Sequence, residues 1–329
     1  MAKERLIPTD PMCGHAVPSS WAERGLRSIY PLTRKPFGTR RASGTMAERR
    51  KRGSKGPLII IGGGEDKEGD CTILREVVKH LDGGRLVIAT VASHEPEGYF
   101  ESYERAFADL GVTDIVELYV KDRAETLDPK KLGLLDDAAG VFFSGGDQLR
   151  ISSQIGDTPI EQRVREIHER GGLLAGTSAG ASMMSETMLV KGTSGESYKI
   201  GDLHMAPGLG LVRNMIIDQH FAERGRFGRL FGAVAHNPRE LGIGIDEDTA
   251  LVFQDDRFEV IGSGCVYVVD GAGVTHSNIA EAEPERALSM FDVRLHVLSA
   301  GDTFDVAKRR PTEVPDVTKS HAIETQTMG

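Results

Sequence analysis

Cysteine is scarce in this sequence: Cys13, Cys71 and Cys265 are the only three among 329 residues. Three scattered thiols cannot build a disulfide framework or a zinc cluster. The chain is therefore expected to fold by burial alone, in a reducing compartment, the cytoplasm. Long apolar runs are also missing. None approaches the roughly 20 residues a membrane span needs. The basic residues near the start precede no apolar stretch of roughly 7–15 residues, which argues against a secretory signal. There is no internal repeat, and the first glycine cluster, Gly62-Gly63-Gly64, is followed by Glu65-Asp66-Lys67. That departs from G-x-G-x-x-G and argues against a dinucleotide site. What remains, 39% hydrophobic and 27% charged, is an ordinary soluble composition, long enough for a stable core without staples.

Charge is unevenly placed. Residues 1–56 hold 13 Lys and Arg against 4 Asp and Glu, which leaves 27 against 45 in the rest. The acidic remainder argues against a nucleic-acid-binding core and suits a cationic or zwitterionic substrate. The basic segment, with Arg49-Arg50-Lys51-Arg52, has neither helical nor strand periodicity and is expected to be a disordered extension. Met46 is an alternative start. The sequence is compatible with a homodimer.

From Leu58 the pattern becomes regular. Short apolar runs at Leu58–Ile61, Leu86–Val91, Ile115–Tyr119 and Val141–Phe143 alternate with helical patterns near 70–81, 98–110 and 160–169. Such alternation predicts an α/β fold whose parallel sheet is covered on both faces. From about residue 240, short strands at Leu241–Asp246, Ala250–Gln254, Arg257–Ile261 and Val266–Val269 are expected to finish that sheet with antiparallel hairpins. Arg294–Leu298 is a candidate last strand. Residues 57–311 read as one domain and 312–329 as a frayed tail.

The sharpest chemical signal is Gly176-Thr177-Ser178-Ala179-Gly180. It fits G-x-S-x-G, with an apolar strand before it and a small-residue helix start after it, the context of a nucleophile elbow. Such a turn is strained, needs small neighbours, and aims the Ala179 N–H where an oxyanion would form. Gly145-Gly146, after another apolar strand, is a candidate second oxyanion donor. A serine hydroxyl needs a base. Among His204, His220 and His236, His220 is best placed, at the end of an apolar strand that shares a sheet rim with Ser178 if the strands are parallel. A third group must orient the imidazole, and spacing leaves Glu186, Glu196, Asp202 and Asp218 open. Arg224, Arg226 and Arg229 look like carboxylate clamps. Asp246-Glu247-Asp248 alternate sides on a strand, cannot easily converge on a metal, and read as a hairpin edge.

Together, Phe143-Ser144-Gly145-Gly146-Asp147-Gln148, the Ser178 elbow, Asp218-Gln219-His220-Phe221 with the three arginines, and Gly244-Ile245-Asp246-Glu247-Asp248-Thr249-Ala250 resemble the cyanophycinase family. These serine-type exopeptidases are related to aspartyl dipeptidase (peptidase E). The resemblance spans roughly residues 57–311 and leaves the first 56 outside. It implies a three-layer sandwich with a mostly parallel central sheet, like the class I glutamine amidotransferases, with added antiparallel hairpins. It implies hydrolysis of cyanophycin, a poly-aspartate whose β-carboxyls carry arginine, to β-Asp-Arg dipeptides without metal or cofactor. It also implies roles: Ser178 as nucleophile, His220 as base, Glu196 as acid, Gly146 and Ala179 at the oxyanion, and Gln148, Asp218, Gln219, Arg224, Arg226 and Arg229 at the substrate. The same chemistry in a smaller pocket would make an Asp-X dipeptidase, and a non-catalytic binding protein would not need Ser178, Glu196 and His220.

Overall fold

The computed structural model describes residues 54–94, 98–192, 198–280, 283 and 285–312. The expected disorder of the basic extension up to residue 53, the frayed tail beyond 312, and Glu196 fall outside the described residues. In chain order the first half runs β1 (Leu58–Ile61), α1 (Thr72–Lys79), β2 (Leu86–Ala89), α2 (Tyr99–Asp109), β3 (Ile115–Leu118), α3 (Pro129–Leu134), β4 (Gly140–Phe143), α4 (Gln148–Ile155), α5 (Pro159–Glu169) and β5 (Leu173–Thr177). The second half runs α6 (Ala179–Ser182), β6 (Thr187–Lys191), β7 (His204–Pro207), β8 (Met215–Gln219), α7 (Phe227–His236), β9 (Leu241–Ile245), β10 (Thr249–Gln254), β11 (Arg257–Gly262), β12 (Val266–Asp270), β13 (His276–Ser277), β14 (Met290–Phe291), β15 (Arg294–Leu298), β16 (Thr303–Asp305) and β17 (Arg310–Pro311).

Helix starts follow their local chemistry. Asp128 accepts from Lys130 N ahead of α3, with Pro129 in the first turn, and Asp147 accepts from Leu149 N ahead of α4. These satisfy amides that a helix leaves unpaired. The central strands β1, β2, β4 and β5 are buried along their whole length because both faces are covered. Along β1, Leu58 and Ile60 enter one core cluster, while Ile59 and Ile61 enter another. The second cluster lies under α1 and α2, through Ile73, Leu74, Val77, Ala106 and Phe107. The first includes Ile151, Ile155, Ile160, Val164 and Ile167 of α4 and α5. Each fully buried aliphatic side chain of this kind contributes roughly 1.5–3 kcal/mol.

A nine-stranded sheet runs in the order β17-β16-β11-β10-β1-β5-β4-β2-β3. Strands β1, β5, β4, β2 and β3 pair in parallel, and β10, β11, β16 and β17 extend the β1 side antiparallel. The α/β architecture with a parallel centre and antiparallel additions is as expected. Leu241–Ile245, Val266–Asp270 and the candidate last strand Arg294–Leu298 do not join that sheet. β9 pairs with β8 in parallel and with β12 antiparallel, and β12 pairs with β15, in a second sheet ordered β15-β12-β9-β8. The physical reason is again two-sided burial. Ile217, Ile243 and Ile245 of this sheet enter the first core cluster, while Ile216 and Val269 pack with Leu230, Ala233 and Val234 of α7. Loop 246–248 is thus a junction between two sheets and not a hairpin edge.

Candidate active site

Ser178 follows β5 directly. Its backbone sits at φ 53, ψ −111, a conformation that non-glycine residues adopt only when their surroundings impose it. The Ser178 N–H donates to the Ile61 carbonyl at the end of β1 (3.0 Å). The small neighbours have a clear cause: a Cβ on Gly180 would lie 2.4 Å from the Phe143 carbonyl oxygen. The strand–turn–helix context expected of a nucleophile elbow is present, with Ser178 half-exposed at the tip.

His220 follows β8, so the two residues come from the ends of two different sheets and not from one rim. The His220 N–H donates to the Gly62 carbonyl (2.8 Å), which brings the second sheet against the turn after β1. Ser178 Oγ lies 2.9 Å from His220 Nε2, and His220 Nδ1 lies 2.5 Å from Glu247 Oε1. Burial pushes the His220 imidazole below its ordinary pKa, and Glu247 opposes that shift. A neutral ring with Nε2 turned to the hydroxyl can accept its proton, and the carboxylate at Nδ1 stabilises the imidazolium that results.

The position at His220 Nδ1 belongs, among the described residues, to Glu247. Of the four acids that spacing left open, Glu196 lies outside the described residues. Glu186 pairs with Arg213 at 3.5 Å, and Asp218 is fully buried against two arginines. His236 turns Nδ1 to the Gly232 carbonyl, away from the serine.

A cleft of about 420 Å³ opens over Ser178 and His220, lined also by Gly63, Gly145, Gly146, Gln148, Thr177 and Gln219, together with Arg224, Arg226 and Arg229. The Gly145 and Gly146 N–H groups have no acceptor among the described residues. The arginines are not three equal clamps. Arg229 grips both oxygens of Asp218, with Nε 2.6 Å from Oδ2. Arg226 Nη1 donates to Asp218 Oδ1 (3.2 Å), the Gln219 carbonyl (2.5 Å) and Gln219 Oε1 (2.9 Å). Its Nε is buried without a partner among the described residues. Asp218 does not line the cleft; it sits beneath and fixes the arginines that do. Gln148, on the cleft wall, donates through Nε2 to the Leu189 carbonyl (2.7 Å).

Residues 58–261 match the model of peptidase family S51. The chain belongs to peptidase family S51. Among S51-like relatives, the cyanophycinase of Geminocystis herdmanii (strain PCC 6308) is 38% identical over 258 residues, covering 77% of this chain and 95% of the relative. The cyanophycinase of Trichormus variabilis (strain ATCC 29413 / PCC 7937) is 40% identical over 261 residues, covering 78% and 87%. A peptidase from an acI-B1 actinobacterium, solved by crystallography, superposes with a TM-score of 0.58 at 24% identity, over 77% of this chain and 98% of that one. That last likeness concerns the fold. The resemblance read from the motifs is borne out, and this S51 chain is a peptidase.

Two parts of the cleft were not singled out in the sequence. One is Glu65, 4% exposed, which accepts from Tyr103 Oη (2.5 Å) and Thr177 Oγ1 (2.6 Å) and so fixes the cleft wall beside Ser178. Burial lifts the Tyr103 phenol well above its ordinary value, which keeps it a donor. The other is the Gly62–Gly64 turn, dismissed as a nucleotide site, which instead underlies the imidazole. Gly63 has φ +100, and a Cβ there would lie 2.3 Å from His220 Cε1. Gly63→Ala is therefore expected to displace the ring and lower kcat by at least about 100-fold, as misplaced catalytic groups do. Circular dichroism and kcat measured together would check this; a normal kcat would remove the turn from the site.

Asp218 carries a stability prediction. Asp218→Asn leaves two buried guanidinium groups short of a countercharge, and breaking such a pair costs about 3–5 kcal/mol. For a folded part of this size that corresponds to a fall in melting temperature of roughly 6–15 °C, readable by calorimetry. An unchanged melting temperature would show that Asp218 does not hold the arginines.

Proposed function

We propose that this peptidase hydrolyses cyanophycin, releasing β-Asp-Arg dipeptides through an acyl-enzyme on Ser178. The observation that carries the proposal is the Ser178–His220–Glu247 relay opening into an arginine-lined cleft, in a chain 38–40% identical to cyanophycinases over most of its length. Ser178 Oγ attacks the scissile backbone carbonyl as its proton passes to His220 Nε2. The oxyanion is held by the N–H groups of Gly146 and Ala179. The C–N bond then breaks, and the amine leaves with the proton from His220. Water, deprotonated by the same imidazole, cleaves the acyl ester and restores the serine hydroxyl.

Glu247 is assigned the orienting role that the family resemblance gave to Glu196. Arg224 and Arg226, both on the cleft wall, are assigned to substrate carboxylate, since charge-assisted bonds to a carboxylate are strong and directional. Gln148, Gln219 and Arg229 complete the polar wall, while Asp218 anchors the arginines. The activity is assigned to residues 57–311 and to the cytoplasm, with the segments on either side playing no part in turnover. The cleft's cationic wall within an otherwise acidic chain suits a substrate that carries both carboxylates and guanidiniums, and it disfavours a bare polyanion. The test compares kcat/KM for cyanophycin, unbranched poly-aspartate and Asp-Leu in one buffer. Equal rates on the two polymers would remove the branch specificity, and preference for Asp-Leu would make the protein an Asp-X dipeptidase.

A further inference from the structure

Asp246, Glu247 and Asp248 stand side by side, yet their carboxylates serve three different elements. Glu247 reaches His220. Asp246, 7% exposed, accepts the Ala222 N–H on Oδ1 (2.9 Å) and the Cys265 N–H on Oδ2 (3.1 Å). Asp248 accepts the Asp66 N–H on Oδ1 (3.0 Å) and Ser263 Oγ on Oδ2 (2.7 Å), and its own N–H donates to the Gly63 carbonyl (2.8 Å).

The topology makes this arrangement consequential. Ser178 is carried by the nine-stranded sheet and His220 by the four-stranded one, and loop 246–248, from β9 to β10, is one of the covalent junctions between those sheets. The Glu247 side chain is 41% exposed, so packing alone does not fix it. Ala222 lies two residues beyond His220, and Cys265 lies just before β12, which pairs with β9 along its whole length. Asp246 therefore ties the loop holding the base to the loop holding its carboxylate partner, through two amides that have one acceptor oxygen each.

We propose that Asp246 is a positioning residue for the catalytic relay: its carboxylate bridges the Ala222 and Cys265 amides and so holds Glu247 in register with His220. The inference rests on the relay described under Proposed function, but not on the identity of the substrate. Asparagine is isosteric with aspartate but has a single acceptor oxygen. In D246N one amide faces an NH2 group, two donors with no acceptor between them. Asp248 differs in kind, because one of its partners is a hydroxyl that can reverse and donate or accept.

The test reads the second-order rate constant for labelling of Ser178 by a fluorophosphonate, which needs an activated serine but no particular substrate. D246N is expected to slow labelling 10- to 100-fold, while D248N stays within threefold of the wild type. The acid limb of the labelling rate should also move to lower pH in D246N. The charged groups that bear on His220 are Glu247, Arg224 and Arg226. Those that bear on Asp246 include Glu223. D246N leaves the arginines in place and loosens only Glu247, the member that raises the imidazole. In an E247Q background D246N should change labelling less than threefold, because the residue it positions is already disabled. Equal losses from D246N in both backgrounds, or a loss with an unmoved acid limb, would overturn the proposal. If D246N does not fold, D246E decides. Slower labelling with a melting temperature within about 3 °C of the wild type supports positioning, and a lower melting temperature at full labelling rate contradicts it. Normal labelling with no cyanophycin turnover in the wild type would count against the substrate assignment alone.

Discussion

Ser178→Ala is expected to lower kcat by on the order of 10⁴-fold or more while the protein stays folded. The substitution removes one atom, Oγ, whose contact is His220 Nε2 at 2.9 Å. The backbone of the turn is fixed elsewhere, by the Ile61 carbonyl on the Ser178 N–H and by the close packing of Gly180 on Phe143. Melting temperature should therefore change little. Without the hydroxyl no acyl-enzyme can form, and the remaining oxyanion and binding contacts leave only the residual rate typical of serine hydrolases stripped of their nucleophile. A variant that keeps its activity within tenfold would place the chemistry elsewhere.

Glu247→Gln is expected to lower kcat by roughly 10²- to 10⁴-fold, by analogy with loss of the orienting acid in other serine hydrolases. Glutamine keeps the length of the side chain but not its charge. It cannot stabilise the imidazolium, and its amide can present a donor to a ring nitrogen that must itself donate. The partial exposure of Glu247 favours the lower part of that range, since water screens the charge it supplies. Glu196→Gln is the comparison that gives the result meaning. It is expected to stay within about threefold of the wild type. A large loss in Glu196→Gln with none in Glu247→Gln would return the role to Glu196.

The legible parts of this protein were those written in local pattern. The four buried residues of β1, the elbow around Ser178 and the histidine after β8 each depend on neighbours in sequence. The position of Leu241–Ile245 was not legible, because a buried apolar strand carries no mark of which sheet it joins; that is settled by Ile243 and Ile245 packing on one side and α7 on the other. The relation of Glu247 to His220 was hidden for the same reason. Strand alternation argues correctly that three adjacent acids do not converge, but it cannot show that they diverge toward three separate partners. The arginines near His220 were found as a group. Their division of labour, with Arg229 committed to a buried Asp218 and Arg226 shared between Asp218 and Gln219, needed side-chain geometry.

The most direct test of Ser178 as the nucleophile that cuts a poly-aspartate backbone bearing arginine branches is mass spectrometry of the products after the purified protein is incubated with cyanophycin, beside a parallel sample of Ser178→Ala. β-Asp-Arg dipeptide is expected as the accumulating product from the wild type and none above background from the variant. Free arginine as the main product, or intact polymer with the wild type while Asp-Leu is cleaved, would contradict that assignment.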